Sequence, residues 1–175
     1  MIDCEQFREY VIRDTLQNVF LKRKSPRGEG LHDLVPIYSM NMEEILIATI
    51  AHESQGGTFL CPKNKRTRSL GVYQMHSQTY QDIIDKLYNN IEIILADGSH
   101  YYFPSNPREI ITNLSTATLM SALYYQLIPD KLPPHDDINK IWEFYNENWG
   151  FKEKNEESSK EFIKNYYNYA GFPWF

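Results

Sequence analysis

The chain has 175 residues, of which 42% are hydrophobic and 23% charged, and a formal net charge of −5. That length suffices for one domain, residues 1–175, with well over half of its unfolded surface buried, and the composition excludes a disordered or collagen-like chain. The acidic balance excludes nucleic acid as the main partner, because neutralising phosphates takes a basic face.

In chain order, residues 5–21 place Phe7, Tyr10, Val11, Thr15, Leu16, Val19 and Phe20 at three-and-four spacing, which predicts an amphipathic helix. Residues 22–38 hold Pro26, Gly28, Gly30 and Pro36 and read as a loop. The next helix has Asn41 as its cap and Glu44 at capping-box spacing, followed by Ile45, Leu46, Ala48, Ile50 and Ala51. Gly56-Gly57 ends it, so Glu53 falls on the last turn, where a side chain can leave the core. A helix over 77–88 comes next, with Ser77 as its cap. Residues 91–103 then alternate about an Asp97-Gly98 turn, which predicts a small hairpin with Ile91, Ile93 and Leu95 on one arm. Pro107 opens a long helix to about Leu127, and Pro129, Pro133 and Pro134 break it. Asp136 or Asp137 starts a helix through Ile138, Ile141, Trp142 and Tyr145, and Ser158 or Ser159 caps a last one to about Tyr169. The fold class is mainly α with one small β-hairpin, without repeats or linkers.

Two motifs carry chemistry: Ala51-His52-Glu53-Ser54-Gln55-Gly56-Gly57, and Leu70-Gly71-Val72-Tyr73-Gln74-Met75. Splitting a glycosidic bond requires protonation of the leaving oxygen, and a carboxyl group with a raised pKa suits that task. Ile50 and Ala51 beside Glu53 predict such a shift by burial. Asp82, Asp85 and Glu147 are the candidates for a second carboxylate, and spacing singles out none of them. His52-Glu53 does not begin an H-E-x-x-H zinc site, since the second His would fall at Gly56, and His76, His100 and His135 are scattered. His76-Ser77 lacks a nucleophile-elbow pattern, and no Gly-rich phosphate loop is present, so neither metal nor cofactor is implied.

Thirteen Tyr, nine Phe and three Trp raise aromatic content to 14%, and an apolar ring with a polar tip serves a sugar-binding groove as well as a core. Lys22-Arg23-Lys24 with Arg27 forms one basic cluster, and Lys63, Lys65, Arg66 and Arg68 form another between the two motifs, at the rim of the expected cleft. Cys4 and Cys61 have no metal-site spacing and read as two separate thiols, with one bridge as the alternative. The opening Met1-Ile2-Asp3-Cys4-Glu5 has neither a basic start nor an apolar run, so neither a signal peptide nor a membrane span is expected, and synthesis is cytoplasmic. The apolar tail Phe172-Pro173-Trp174-Phe175 reads as docked on the domain's own surface, with a hook for a partner as the second reading.

Glu53-Ser54, then Gly71-Val72-Tyr73-Gln74, then Asn113 leading a helix, then Phe144-Tyr145-Asn146 with Gly150, resembles in order the soluble lytic transglycosylase and goose-type lysozyme superfamily. The likeness covers residues 41–150 and implies a lysozyme-like fold that acts on peptidoglycan glycan strands. It implies Glu53 as the single catalytic acid and base, Ser54 steadying the acid or its helix end, and Gln74 hydrogen-bonding an N-acetyl sugar. Gly71 would let the backbone approach the glycan, Tyr145 would point its hydroxyl at Glu53, and Asn146 would brace that loop. The product would be a 1,6-anhydro muramoyl sugar. Val72-Tyr73 stands where Leu-Met is usual, Ala117 where a Gly is, and Gly150 falls two places late.

The wider layout is similar to small uncharacterised phage and prophage proteins, through Gln6-Phe7-Arg8, Tyr10-Val11-Ile12-Arg13, Asp136-Asp137-Ile138 and Phe162 with Asn165-Tyr166. That likeness implies virion or tail proteins as partners and delivery to the periplasm or cell wall. A non-catalytic virion or glycan-binding protein on the same fold, and a hydrolytic goose-type lysozyme, are the alternatives.

Overall fold

The N-terminal helix is the first place where tertiary pairing overrides the sequence pattern. In the computed structural model, which describes residues 3–23, 34–58, 60, 69–150 and 155–170, residues 4–16 form helix α1. It consists of Cys4–Phe7, a π-helical stretch Arg8–Arg13 and a last α turn Asp14–Leu16. The helix expected over 5–21 is therefore too long: Val19–Arg23 is strand β1. Val19, Phe20 and Leu21 suit a pleated surface, and β1 gains a full antiparallel partner, with Val19 opposite Leu95 and Arg23 opposite Ile91.

That partner is β5 (Ile91–Leu95), and a short β2 (Val35–Pro36) pairs on the other side of β1, so the sheet order is β2-β1-β5. Pro36 is tolerated there because β2 is an edge strand. The Asp97-Gly98 turn forms, with Gly98 at φ +84° and the Ser99 N–H on the Asp97 carboxylate at 2.9 Å. The expected second arm of the hairpin shrinks to a single bridge, Ile94 to His100.

Helix α2 (Met40–Glu53) runs through the centre, with every residue from Met42 to His52 buried. Ile45, Leu46, Ile47 and Ile50 each gain roughly 1.5–3 kcal/mol by leaving water, far more than the few tenths that β-branched residues lose in a helix. Its cap is Ser39, which accepts the Met42 N–H at 3.1 Å, and not Asn41. The Asn41 side chain instead accepts the His135 N–H at 3.0 Å, and Glu44 turns to Arg8, so the expected capping box does not form.

A tight hairpin, β3 (Ser69–Leu70) and β4 (Met75–His76), leads into α3 (Ser77–Asn90), whose cap is His76 and not Ser77. The helix expected from Pro107 splits in two. A 3₁₀ piece, Pro107–Ile111, is capped by Asn106, and α4 (Leu114–Gln126) starts afresh at Asn113, whose side chain accepts the Thr116 N–H at 3.0 Å. Thr116 to Leu123 are all buried, so α4 is the second central helix. Helix α5 (Ile138–Tyr145), capped by Asp137, continues into a π turn, Asn146–Gly150. The last helix, α6 (Glu156–Tyr169), is capped by Asn155, and Ser158 closes a reciprocal capping box rather than serving as the cap.

A charged network joins α1, α2 and α6. Arg8 grips Glu44 with two bonds of 2.8 and 2.9 Å, and Arg13 grips Glu43 at 2.8 and 2.9 Å. The hydroxyls of Tyr38 and Tyr166 donate to Glu43 and Glu44. A π turn bonds i to i+5, which brings Arg8 and Arg13 to one face of α1. Among the described residues no helix is long and apolar enough to cross a membrane. Cys61, the basic cluster from Lys63 to Arg68, most of the Lys22–Arg27 cluster and the Phe172–Phe175 tail lie outside the described residues.

Candidate active site

Glu53 is the last residue of α2, and beyond it the chain turns sharply away from the helix axis. Gln55, Gly56 and Gly57 all have left-handed backbone, at φ of 52°, 65° and 74°. Ser54 is wholly buried and pins this reversal: its hydroxyl donates to the Ile50 carbonyl at 3.1 Å and accepts the Gly57 N–H at 3.0 Å. Ser54 therefore holds the helix end, while Glu53 stays half-buried at the edge of a cleft.

Tyr145 ends α5 as Glu53 ends α2. Its ring is fully buried, 4.8 Å from Phe162 and 5.5 Å edge-on from His52, and its hydroxyl donates to Glu53 Oε1 across 92 positions of sequence. Burial, then the Glu53 charge and the bond to it, push the phenol well above its ordinary pKa. Tyr145 is thus a fixed donor. A Cβ on Gly150 would stand 2.6 Å from the Tyr145 ring, so the π turn brings bare backbone against that ring at i+5.

Gln74 closes the β3–β4 turn at φ 50°, with its backbone N–H on the Gly71 carbonyl at 3.1 Å and Nε2 on the same oxygen at 2.7 Å. Gly71, at φ 71°, is buried, and a Cβ there would meet the Ile110 carbonyl oxygen at 2.4 Å. The backbone it lets approach is therefore the protein's own. Asn146 is buried in the first residue of the π turn and does not line the cleft.

The cleft has a volume of about 390 Å³ and is lined by Glu53, Gln74, His76 and Thr79, and by Tyr124, Trp149 and Gly150 from α4 and the π turn. His76 Nδ1 accepts the Gln78 N–H at 3.3 Å, so the neutral ring carries its proton on Nε2. Of the described lining residues Glu53 is the one carboxylate. Asp82 and Asp85 are exposed along α3, bonded by Gln78 and Gln81, and Glu147 is exposed on the π turn. A larger cavity of about 480 Å³, between α3 and residues 100–105, is mostly apolar and contains no motif residue.

The structure thus brings Glu53 and Gln74 to one cleft, bonds the buried Tyr145 to Glu53 from behind it, and keeps Ser54, Gly71 and Asn146 in its support. Sequence reasoning missed Tyr124, Trp149, His76 and Thr79 as lining residues. The excess of aromatics and the position of Trp149 between Asn146 and Gly150 were the signals that could have found the two rings. Comparison with protein-family models, with characterised proteins and with solved structures finds no match.

Proposed function

We propose that this chain cleaves the β-1,4 bond between N-acetylmuramic acid and N-acetylglucosamine in peptidoglycan, as a lytic transglycosylase with Glu53 as general acid and base. The observation that carries the reading is the Tyr145 hydroxyl bonded to Glu53 in a cleft that Gln74 also lines. Tyr145 meets the Glu53 carboxylate from a separate motif, and Gln74 of a third motif lines the same cleft.

Because Tyr145 donates to Oε1, that oxygen keeps the accepting role and the transferable proton sits on Oε2. Oε2 protonates the glycosidic oxygen as the C1–O bond breaks, and the glucosaminyl fragment leaves as the alcohol. The N-acetyl carbonyl of the muramoyl sugar holds C1 meanwhile. The Glu53 carboxylate then takes the proton of the 6-hydroxyl, whose oxygen bonds to C1 and displaces the carbonyl. The 1,6-anhydro ring closes and Glu53 regains its proton. One carboxylate serves both steps, which agrees with the single carboxylate among the described lining, whereas hydrolysis ordinarily uses two.

The test incubates purified peptidoglycan with wild type and Glu53→Gln and reads soluble fragments by mass spectrometry. Anhydro-muropeptides should appear with wild type and fall by about 10²–10⁴-fold in the variant. Reducing ends in their place would assign a hydrolytic lysozyme. No release from walls of several bacterial types would overturn the enzymatic reading.

A further inference from the structure

The lining of the cleft is of two chemical kinds. Gln74, His76 and Thr79, from the β3–β4 hairpin and the start of α3, offer hydrogen bonds; Tyr124 and Trp149, from α4 and the π turn, offer rings. Resting on the reading of this cleft as a glycan site, we propose that Trp149, set against Tyr124, is the stacking platform for an N-acetylhexosamine ring beside Glu53.

The indole is fixed from two directions. Behind it lies Tyr125, 5.2 Å between centroids and tilted by 32°, so one indole face rests on another ring. Tyr125 is buried, and its hydroxyl bonds Thr49 of α2 at 2.7 Å, so this backing belongs to the core. At its side Tyr124 meets Trp149 at 5.0 Å and 86°, edge against face. The Tyr124 hydroxyl donates to the carbonyl of Asn148, the residue before Trp149, which ties α4 to the π turn. Trp149 nevertheless stays half-buried and lines the cleft.

A pyranose ring presents an apolar face of C–H groups and a rim of hydroxyl and acetamido groups. It therefore needs a flat apolar surface and hydrogen-bonding groups in one place, and this cleft supplies both. A platform already held in place loses little conformational freedom on binding. The two rings stand at right angles and both line the cleft, so both can meet a sugar there.

The probe is the tetramer of N-acetylglucosamine, titrated by calorimetry and by tryptophan fluorescence into Glu53→Gln, where cleavage does not consume it. Glu53→Gln should bind it with a change in indole emission. Adding Trp149→Ala should weaken binding at least about tenfold, and Trp149→Phe about threefold. If the alanine variant does not fold, the phenylalanine variant decides, since it keeps a ring against Tyr125. Binding within about twofold of Glu53→Gln in every folded variant would overturn the platform, as would no binding of the tetramer by Glu53→Gln itself. Fragment release by wild type is read separately. Trp149-dependent binding without release keeps the platform and removes the enzymatic reading, whereas release untouched by Trp149→Ala does the reverse.

Discussion

The hydroxyl of Tyr145 has one hydrogen to give, and it goes to Oε1 of Glu53. With its ring buried between His52 and Phe162 and its phenol held un-ionised, this residue orients the acid rather than exchanging protons with it. Tyr145→Phe keeps the shape and removes that bond. A hydrogen bond to a charged group is worth about 1.5–3 kcal/mol, so the rate of fragment release should fall roughly 10–100-fold and the thermal midpoint should drop by about 2–4 °C per kcal/mol lost. Kinetics on peptidoglycan beside a melting curve checks both halves, and an unchanged rate would remove Tyr145 from the site. Gln74 and Tyr145 were placed through the resemblance of their motifs, and Glu53 was legible in the sequence from a local signal, a helix end stopped by glycines. Trp149 was not, because its neighbours Tyr124 and Tyr125 lie on another helix and its phase depends on an extra residue in the turn.

Among the elements, α1 and α6 are held to the first turn of α2 by charges rather than by apolar contact alone. Arg8 leaves 11% of its side chain exposed and Glu44 7%, so Arg8→Ala strands a buried carboxylate and should cost about 3–5 kcal/mol. Arg13 is 32% exposed, and without it the buried Glu43 still keeps Arg8 at 3.3 Å and the Tyr38 hydroxyl, so Arg13→Ala should cost less than Arg8→Ala. Denaturant midpoints of the two variants test this order. Burial alone would raise the Glu43 carboxyl, but the bonds from Arg13 and Tyr38, with the charges of Arg13 and Arg8, hold it below the usual range. Its folded pKa thus lies below the unfolded value of about 4.3, so its stabilisation is complete above that pH and lost as the pH falls through the folded value. The wild type should lose stability as the pH falls below about 4.3, and Arg13→Ala should lose less of it. None of this network was legible in the sequence. Glu43 and Glu44 carry the ordinary mark of acidic residues in a helix's first turn, and only the packing of α1 and α6 shows them facing inward.

For the whole molecule, part of the aromatic excess is core. Tyr73, Tyr80, Tyr125, Tyr145 and Tyr166 are buried, and each phenol is pushed up by burial, that of Tyr80 to about 12. In the unfolded chain they ionise near pH 10, so the stability they contribute is complete below that pH and is lost as the pH rises beyond it. Each tyrosine that ionises only on unfolding adds a slope of about 1.4 kcal/mol per pH unit. Alkaline unfolding should accordingly be steep and coincide with a rise in tyrosinate absorbance; gradual absorbance changes in a still-folded chain would contradict it. Several helix bounds and caps fall elsewhere than the sequence pattern places them, at Ser39, His76, Asn113 and Asn155, but the helical class and the Gly56-Gly57 and Asp97-Gly98 turns could be read from the sequence. The sheet could not, because β1 comes after a helix in helical spacing and finds β5 only through the tertiary fold.

Both π turns have a bearing on how this chain tolerates change in length. A helix advances about 100° per residue, so deleting one residue from Asn146–Gly150 would restore a regular turn and rotate everything beyond it. Trp149 would swing out of the cleft, and a residue with a side chain would take the place of Gly150 against the Tyr145 ring. In Arg8–Arg13 the same deletion would carry one arginine away from its glutamate. At these two places the molecule is therefore more sensitive to the count of residues than to most of their identities, and single-residue deletions there should be worse tolerated than substitutions at the same positions.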